Sequence, residues 1–564
     1  MANILEQLDN EVAKLFASWN LYTTLIALVL VAFVAYPIIF WEEPDTHPLL
    51  LARQAQPSPV RQPKESATYR SLEVPHGYPL KTGLNVKDAG APRWAGGKDG
   101  DIRDVWREVM KGGGSGENAP PAGLIITVMG SDAAYEHDLK DISKEINIIG
   151  KHLQQIGAKK VAIYLANSIE YLSTIFACSF YGASPILLPY NLPPNVAFDL
   201  LKETEADTLI ATAGSLPLSD LSNATGLRQV TWVVEKTSRH MDWSGNDDAN
   251  GRIIVSVWHE LVDDQKANAS VDLPSNDQSP QPGSITTVWQ EKHGGKSQIV
   301  EFTQRNLVSA IGALSSALPL RQRLNSADLV LPADSFSHTY VLCHTLAALF
   351  SHASLAINSV AGPGVDLSLA QRSVSPTVII ASAETLAALH QKEMGGISNS
   401  LQKFAHVNQS QAMSAGRMPT DNLLFKLLAP RQNAAGATPG KLRLIFTSER
   451  LGTDAPALSN TMLSDLRIFT RSRICYALTV PKVAGAVAQS NMFDYRMTNG
   501  DTKYSHFGVP LSSVEIKLVD KEDARVDGNT PEGEIVVRGP AVAGGEVKLG
   551  VQGKFKQDCT LAYA

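Results

Sequence analysis

The chain has 564 residues, 44% hydrophobic and 19% charged, a globular composition with room for more than one domain. A net charge of −6 leaves no overall basic surface and excludes nucleic acid as the main partner. Cys178, Cys343, Cys475 and Cys559 lie far apart with no CxxC pair, which excludes a zinc ribbon and a disulfide scaffold and suits a reducing compartment.

Residues 21–41, LYTTLIALVLVAFVAYPIIFW, carry no charge. That is about the 20 residues a helix needs to cross roughly 30 Å of hydrocarbon. Trp19, Tyr22, Tyr36 and Trp41 stand near the ends, as interfacial aromatics do. Acidic residues precede the stretch and no small-x-small site follows closely, so a retained anchor is favoured over a cleaved signal. Lys14 stands before the span while Arg53 and Arg61 follow it, which puts the body on the cytosolic side. The expectation is a segment over 1–20, a transmembrane helix over 21–41 and a single-pass protein of the endoplasmic reticulum or another internal membrane. The lipid bilayer is then its first partner.

Residues 42–122 are polar and proline-bearing, a linker and extended arm that closes on the flexible KGGGSGENAPPAG. Two stretches, 263–284 and 411–440, are of low complexity and read as surface loops. Between and around them strand and helix alternate. Leu139, Ile142, Ile146, Ile149 and Leu153 form one apolar helix face, followed by the short buried strand VAIYL. Asn167 or Ser168 can cap the next helix, Gly182 can end it, and PILLP is the next strand. That is a βαβ unit, which implies a parallel sheet with a right-handed crossover. DTLIA, DLVLP, PTVIIA and LRLIF supply further strands. Val514, Ile516 and Leu518 then alternate with charged residues, so an antiparallel β element closes the chain. The fold class is α/β.

VAIYLANSIEYLSTIFACSFYGASPILLP, VEFTQRNL, SFSH, SPTVIIAS, LRLIFTS, CYALT, HFGVP and GEIVVRGP follow one another in an order that resembles the adenylate-forming, AMP-binding superfamily, long-chain acyl-CoA synthetases included. The resemblance covers residues 123–564. It implies two α/β subdomains plus a terminal β-barrel-like element, and a reaction in which a carboxylate displaces pyrophosphate from ATP before a thiol takes the acyl group. It implies also that the small mobile C-terminal catalytic domain is lacking after Ala564.

The same resemblance marks the site residues. Where the family carries its phosphate loop this sequence has Gln290, Glu291, Lys292, His293 and Gly294, then Gly295 and Lys296, with Gln298 at the lysine position and Thr303 at the threonine. Glu291 opposes phosphate, while Lys292 and Lys296 attract it. Tyr476 is the residue expected beside adenine and Thr479 the retained threonine; Val480 replaces the magnesium glutamate, and valine cannot ligate a hard cation. Glu449 and Arg450 replace a glycine pair, Asp558 is the candidate ribose ligand, and His338 borders the expected acyl tunnel. No metal-ligand pattern is present.

Two readings follow. In the first, which the replacements favour, a membrane-anchored, catalytically impaired synthetase-like protein of fatty-acid metabolism binds an acyl chain or a protein partner and requires no cofactor. In the second, an active long-chain fatty acid–CoA ligase uses ATP, magnesium and CoA through divergent motifs.

Overall fold

The structure is a computed structural model, and it describes residues 13, 14, 17, 19–39, 43–87, 91, 92, 94–112, 121–128, 134–221, 226–234, 253–275, 279–292, 296–371, 374–418, 441–496, 504–520 and 525–564. Gly295, most of the 1–20 segment, the glycine run after Gly112 and residues 419–440 therefore lie outside the described residues. The chain divides into two units, Met1–Thr46 and His47–Ala564.

The first unit contains the helix Leu21–Ile39, started by Asn20, whose Oδ1 accepts from the Tyr22 and Thr23 amides at 3.0 Å. Its 19 residues at about 1.5 Å each give about 28 Å, short of the roughly 30 Å hydrocarbon core. Among the described residues no helix is long and apolar enough to cross a membrane. This overturns the transmembrane helix expected over 21–41. The bilayer as a partner and the single-pass, cytosol-facing location fall with it.

In the second unit the apolar runs become strands covered on both faces, which is why they read as near-continuous hydrophobic stretches. The helix Leu139–Gln155 starts at Asp138, whose side chain accepts from the Lys140 amide, and buries Ile142, Ile146, Ile149 and Leu153. Lys160–Tyr164 follows, then Ile169–Tyr181, capped by Ser168 and ended by Gly182 at φ 83°, then Ser184–Leu187, parallel to Lys160–Tyr164. These strands join Thr208–Thr212, Gln229–Val233 and Ile254–Val257 in a seven-stranded sheet, whose far edge is the hairpin Ile285–Trp289 and Gln298–Phe302.

A second sheet has nine strands, with Leu444–Arg450 and Arg473–Thr479 adjacent and parallel near one edge. Gln304–Ala317 and Thr339–Phe350 bury their apolar faces in a core that takes in residues of both sheets. This is the α/β architecture expected of two subdomains.

The third sheet is antiparallel and six-stranded, and it stands where the barrel-like element was expected. Two of its strands come from the arm. Ala55–Pro57 pairs with Tyr69–Ser71, and Tyr69 pairs with Ile516 while its ring stacks on Phe555 at 3.6 Å. Farther along the arm, Ile102–Lys111 buries Trp106 beside Phe176, with the indole N–H donating to Ser143 Oγ at 3.0 Å. Removing an aromatic ring buried in this way typically costs about 3–5 kcal/mol.

Candidate active site

In open α/β sheets, ligands lie outside the carboxyl ends of the strands. Here the carboxyl ends of Leu444–Arg450 and Arg473–Thr479 border a cleft of about 870 Å³. The hairpin contributes Glu291, Lys292 and Gln298 to its walls, the turn after Arg473–Thr479 gives Lys482, and the terminal sheet gives Lys548 and Tyr563.

The hairpin loop is tied down on the cleft. Trp289 Nε1 donates to the Leu451 carbonyl at 3.2 Å and the Lys292 amide to the Gly452 carbonyl at 3.1 Å. Gln298 Nε2 donates to Glu291 Oε1, so this acid is engaged within its own hairpin. Lys296 does not line the cleft; it sits 3.9 Å from Glu203 with both side chains exposed. Thr303 has a structural task. It caps Gln304–Ala317 in a reciprocal box with Asn306, whose amide group donates onward to the Pro540 carbonyl at 2.7 Å.

Tyr476 and Thr479 stand behind the cleft lining and contact it through Glu449. The Tyr476 hydroxyl donates to Glu449 Oε2 at 2.5 Å and accepts from the Leu458 amide at 3.1 Å; the Thr479 hydroxyl donates to the Glu449 carbonyl at 2.8 Å. Burial pushes the Glu449 carboxyl up, against hydrogen bonds from Tyr476 and Tyr563. Burial and then the Glu449 charge drive the Tyr476 phenol well above its usual value, so it remains a donor.

Arg450 lines the cleft as well, in an ion pair with Asp334. Close by, His338 immediately precedes Thr339–Phe350 with no side-chain cap bond, and desolvation followed by the Arg450 charge holds its imidazole well below the usual range, in the neutral form. Asp558 lies apart from the cleft lining. Its carboxylate accepts from Arg496 at 2.6 Å and from the Thr560 hydroxyl at 2.8 Å, which leaves it clamped in an ion cluster with Asp494. Of the residues marked in the sequence, Glu291, Lys292, Gln298, Glu449, Arg450 and Val480 thus meet on the cleft, Tyr476, Thr479 and His338 lie beside them, and Lys296, Thr303 and Asp558 face other partners. Lys482, Lys548 and Tyr563 carry no sequence signal of a site; the turn after Arg473–Thr479 brings the first, and the terminal sheet the other two.

The profile of the AMP-binding enzyme family matches residues 128–287 and 295–545. The chain belongs to that family. An uncharacterized protein of Saccharomyces cerevisiae is 23% identical over 528 residues, 88% of this chain and 85% of that protein. The peroxisomal long chain acyl-CoA synthetase 6 of Arabidopsis thaliana is 23% identical over 412 residues, 70% of this chain and 54% of its own length. This chain thus spans about half of that plant synthetase. Among solved structures, an anthranilate CoA ligase in complex with anthranoyl-AMP superposes with a TM-score of 0.57 at 14% identity, covering 85% of this chain and 79% of that one. A long-chain-fatty-acid-CoA ligase from Archaeoglobus fulgidus gives 0.57 at 15% identity, covering 86% of each chain. At these identities the likeness establishes the fold. Membership of the AMP-binding enzyme family, with no described helix long and apolar enough to cross a membrane, corrects the reading of a membrane-anchored, catalytically impaired acyl-chain binder.

Proposed function

We propose that this AMP-binding protein is an ATP-dependent acid–CoA ligase whose acid is a long-chain fatty acid. The observation that supports it is the position of the cleft. It opens at the carboxyl ends of the central strands, beside the hairpin that replaces the family's phosphate loop, and Lys292, Lys482 and Lys548 line it. In the reaction a carboxylate oxygen bonds to the α-phosphorus of ATP and pyrophosphate leaves. The CoA sulfur then bonds to the acyl carbon, AMP leaves, and the thiol proton is lost. Catalysis of such displacements rests on positioning and on charges held where negative charge develops. Three lysine ammonium groups on one cleft supply that charge in place of hydroxyls. One unit pair at 4 Å is worth about 4 kcal/mol at an effective dielectric of about 20.

A protein-bound magnesium ion does not fit these residues. The Val480 side chain offers no oxygen, the Thr479 hydroxyl is spent on the Glu449 carbonyl, and among the described residues no group of three or more His, Cys, Asp or Glu side chains is placed to hold a metal ion. No step is assigned to one. The choice of a long-chain acid rests on the plant synthetase and on the apolar surroundings of His338, where each buried methylene contributes about 0.8 kcal/mol.

Acid-dependent ATP–pyrophosphate exchange, run on the whole protein with fatty acids of several lengths and with an aromatic acid, tests the reading. Exchange that rises with chain length, and falls roughly a hundredfold to a thousandfold in Lys292→Ala, is the expected result, as loss of one charge-stabilising donor costs. Preference for the aromatic acid would replace the substrate class. No exchange with any acid would refute the proposal.

A further inference from the structure

We infer that Arg450 is the anion-binding residue of this cleft, holding a carboxylate or phosphate oxygen of the substrate, with Asp334 as its positioning residue. The inference rests on the reading of the cleft as a ligase site. Arg450 is the last residue of its strand, and its side chain is only 9% exposed, yet it lines the cleft beside Lys292. A charge so deeply buried needs a partner and a reason to be kept. The partner is the Asp334 carboxylate, reached through Nη2.

Asp334 is fixed from two further sides. Its Oδ1 accepts from the Ser335 amide at 2.8 Å and its carbonyl from Asn167 Nδ2 at 2.8 Å. A guanidinium has five N–H donors in a rigid plane, suited to carboxylate and phosphate alike. Asp334 holds that plane through Nη2, and Arg450 also lines the cleft. The acid next in sequence is not the partner of Arg450, because the Glu449 carboxyl is engaged by Tyr476 and Tyr563. Arg450 is also near enough to His338 to oppose protonation of its imidazole, so its charge is felt on the acyl side as well as on the phosphate side. That is the junction at which the acid must meet the nucleotide.

The test is calorimetric titration of the whole protein with sodium pyrophosphate, AMP and decanoate. R450K keeps the charge but loses the planar fork. The double variant R450M/D334N removes both charges, so no unpaired ion is left in the floor if the single variant does not fold. Both are expected to weaken at least one probe tenfold or more, which corresponds to about 1.4 kcal/mol. Loss for pyrophosphate and AMP assigns the phosphate, and loss for decanoate assigns the carboxylate. D334N alone should lower affinity and D334E restore part of it, whereas a purely structural pair would change the unfolding midpoint without moving affinity. Unchanged affinities in both Arg450 variants, or a wild type that binds none of the three probes, would overturn the inference. Arg450-dependent binding in a protein without exchange activity would refute the ligase reading and leave the anion site standing.

Discussion

Glu449 and Arg450 are neighbours in sequence and opposite in charge, and the two-residue period of a strand sends them to opposite faces. One meets Tyr476, 27 residues on, and the other Asp334, 116 residues back. The sequence shows the strand and shows that two glycines are missing; it cannot show which distant partners make the two charges tolerable. The same holds for Asp558, whose register beside the expected ribose position is plain and whose engagement by Arg496 is not. Tyr476 provides a direct check. Tyr476→Phe removes the donor on Glu449 and the acceptor for the Leu458 amide, both buried. A loss of about 1–3 kcal/mol in urea unfolding is expected, the usual cost of stranded buried polar groups. An unchanged midpoint would mean that water replaces the hydroxyl.

At the scale of elements, what the sequence announces is what local chemistry decides. The helix face through Leu153, the cap at Ser168 and the left-handed Gly182 were all legible because each depends on residues within a turn or two. What lies between elements was not. Glu145 shows this, since it sits on the solvent-patterned side of Leu139–Gln155 yet accepts from Trp258 Nε1 at 2.6 Å. Desolvation, and then the charge of Glu170, raise its carboxyl to about 8. A folded value above the unfolded one means that the native state holds the extra proton. The contribution to stability is therefore complete below about pH 4.3 and is lost as pH rises towards 8. Wild-type protein should unfold at less urea at about pH 8 than at about pH 5. Glu145→Gln, which keeps an acceptor for the indole, should flatten that slope. A slope equal in both proteins would place the titration elsewhere.

Over the whole molecule, the hidden part of the fold is the arm. Three-residue strands carry no periodicity, so Ala55–Pro57 and Tyr69–Ser71 read as linker although they complete the terminal sheet. The arm also closes a buried ion cluster. Asp494, wholly inaccessible, accepts from Gln54 Nε2 at 2.7 Å and from Arg496 at 2.8 and 2.6 Å. Burial alone would raise this carboxyl; the Arg496 hydrogen bonds, with the charges of His506 and Arg496, hold it well below the usual carboxylate range. Its stabilising effect is thus present above the unfolded value of about 3.9 and is lost as pH falls below it. Asp494→Asn should cost about 1–3 kcal/mol near neutrality, with Arg496 half-solvated and able to recover some hydration, and the difference should shrink in acid. A constant difference across pH would mean that packing, not charge, is at stake.

The pairing of the arm with the end of the chain also sets an order of events at the ribosome. The Ser66 hydroxyl accepts from the Leu518 amide across 452 residues of sequence, and Arg70 and Glu65 bind Glu515 and Lys517 across similar spans. At about 5–20 residues per second, translation takes roughly twenty seconds to a minute and a half to produce those partners. Throughout that interval the earliest strands of the sheet must wait with their edges open, while the two parallel sheets between them can already close. The two strands of the arm are made long before the rest of their sheet and pair with it only at the end.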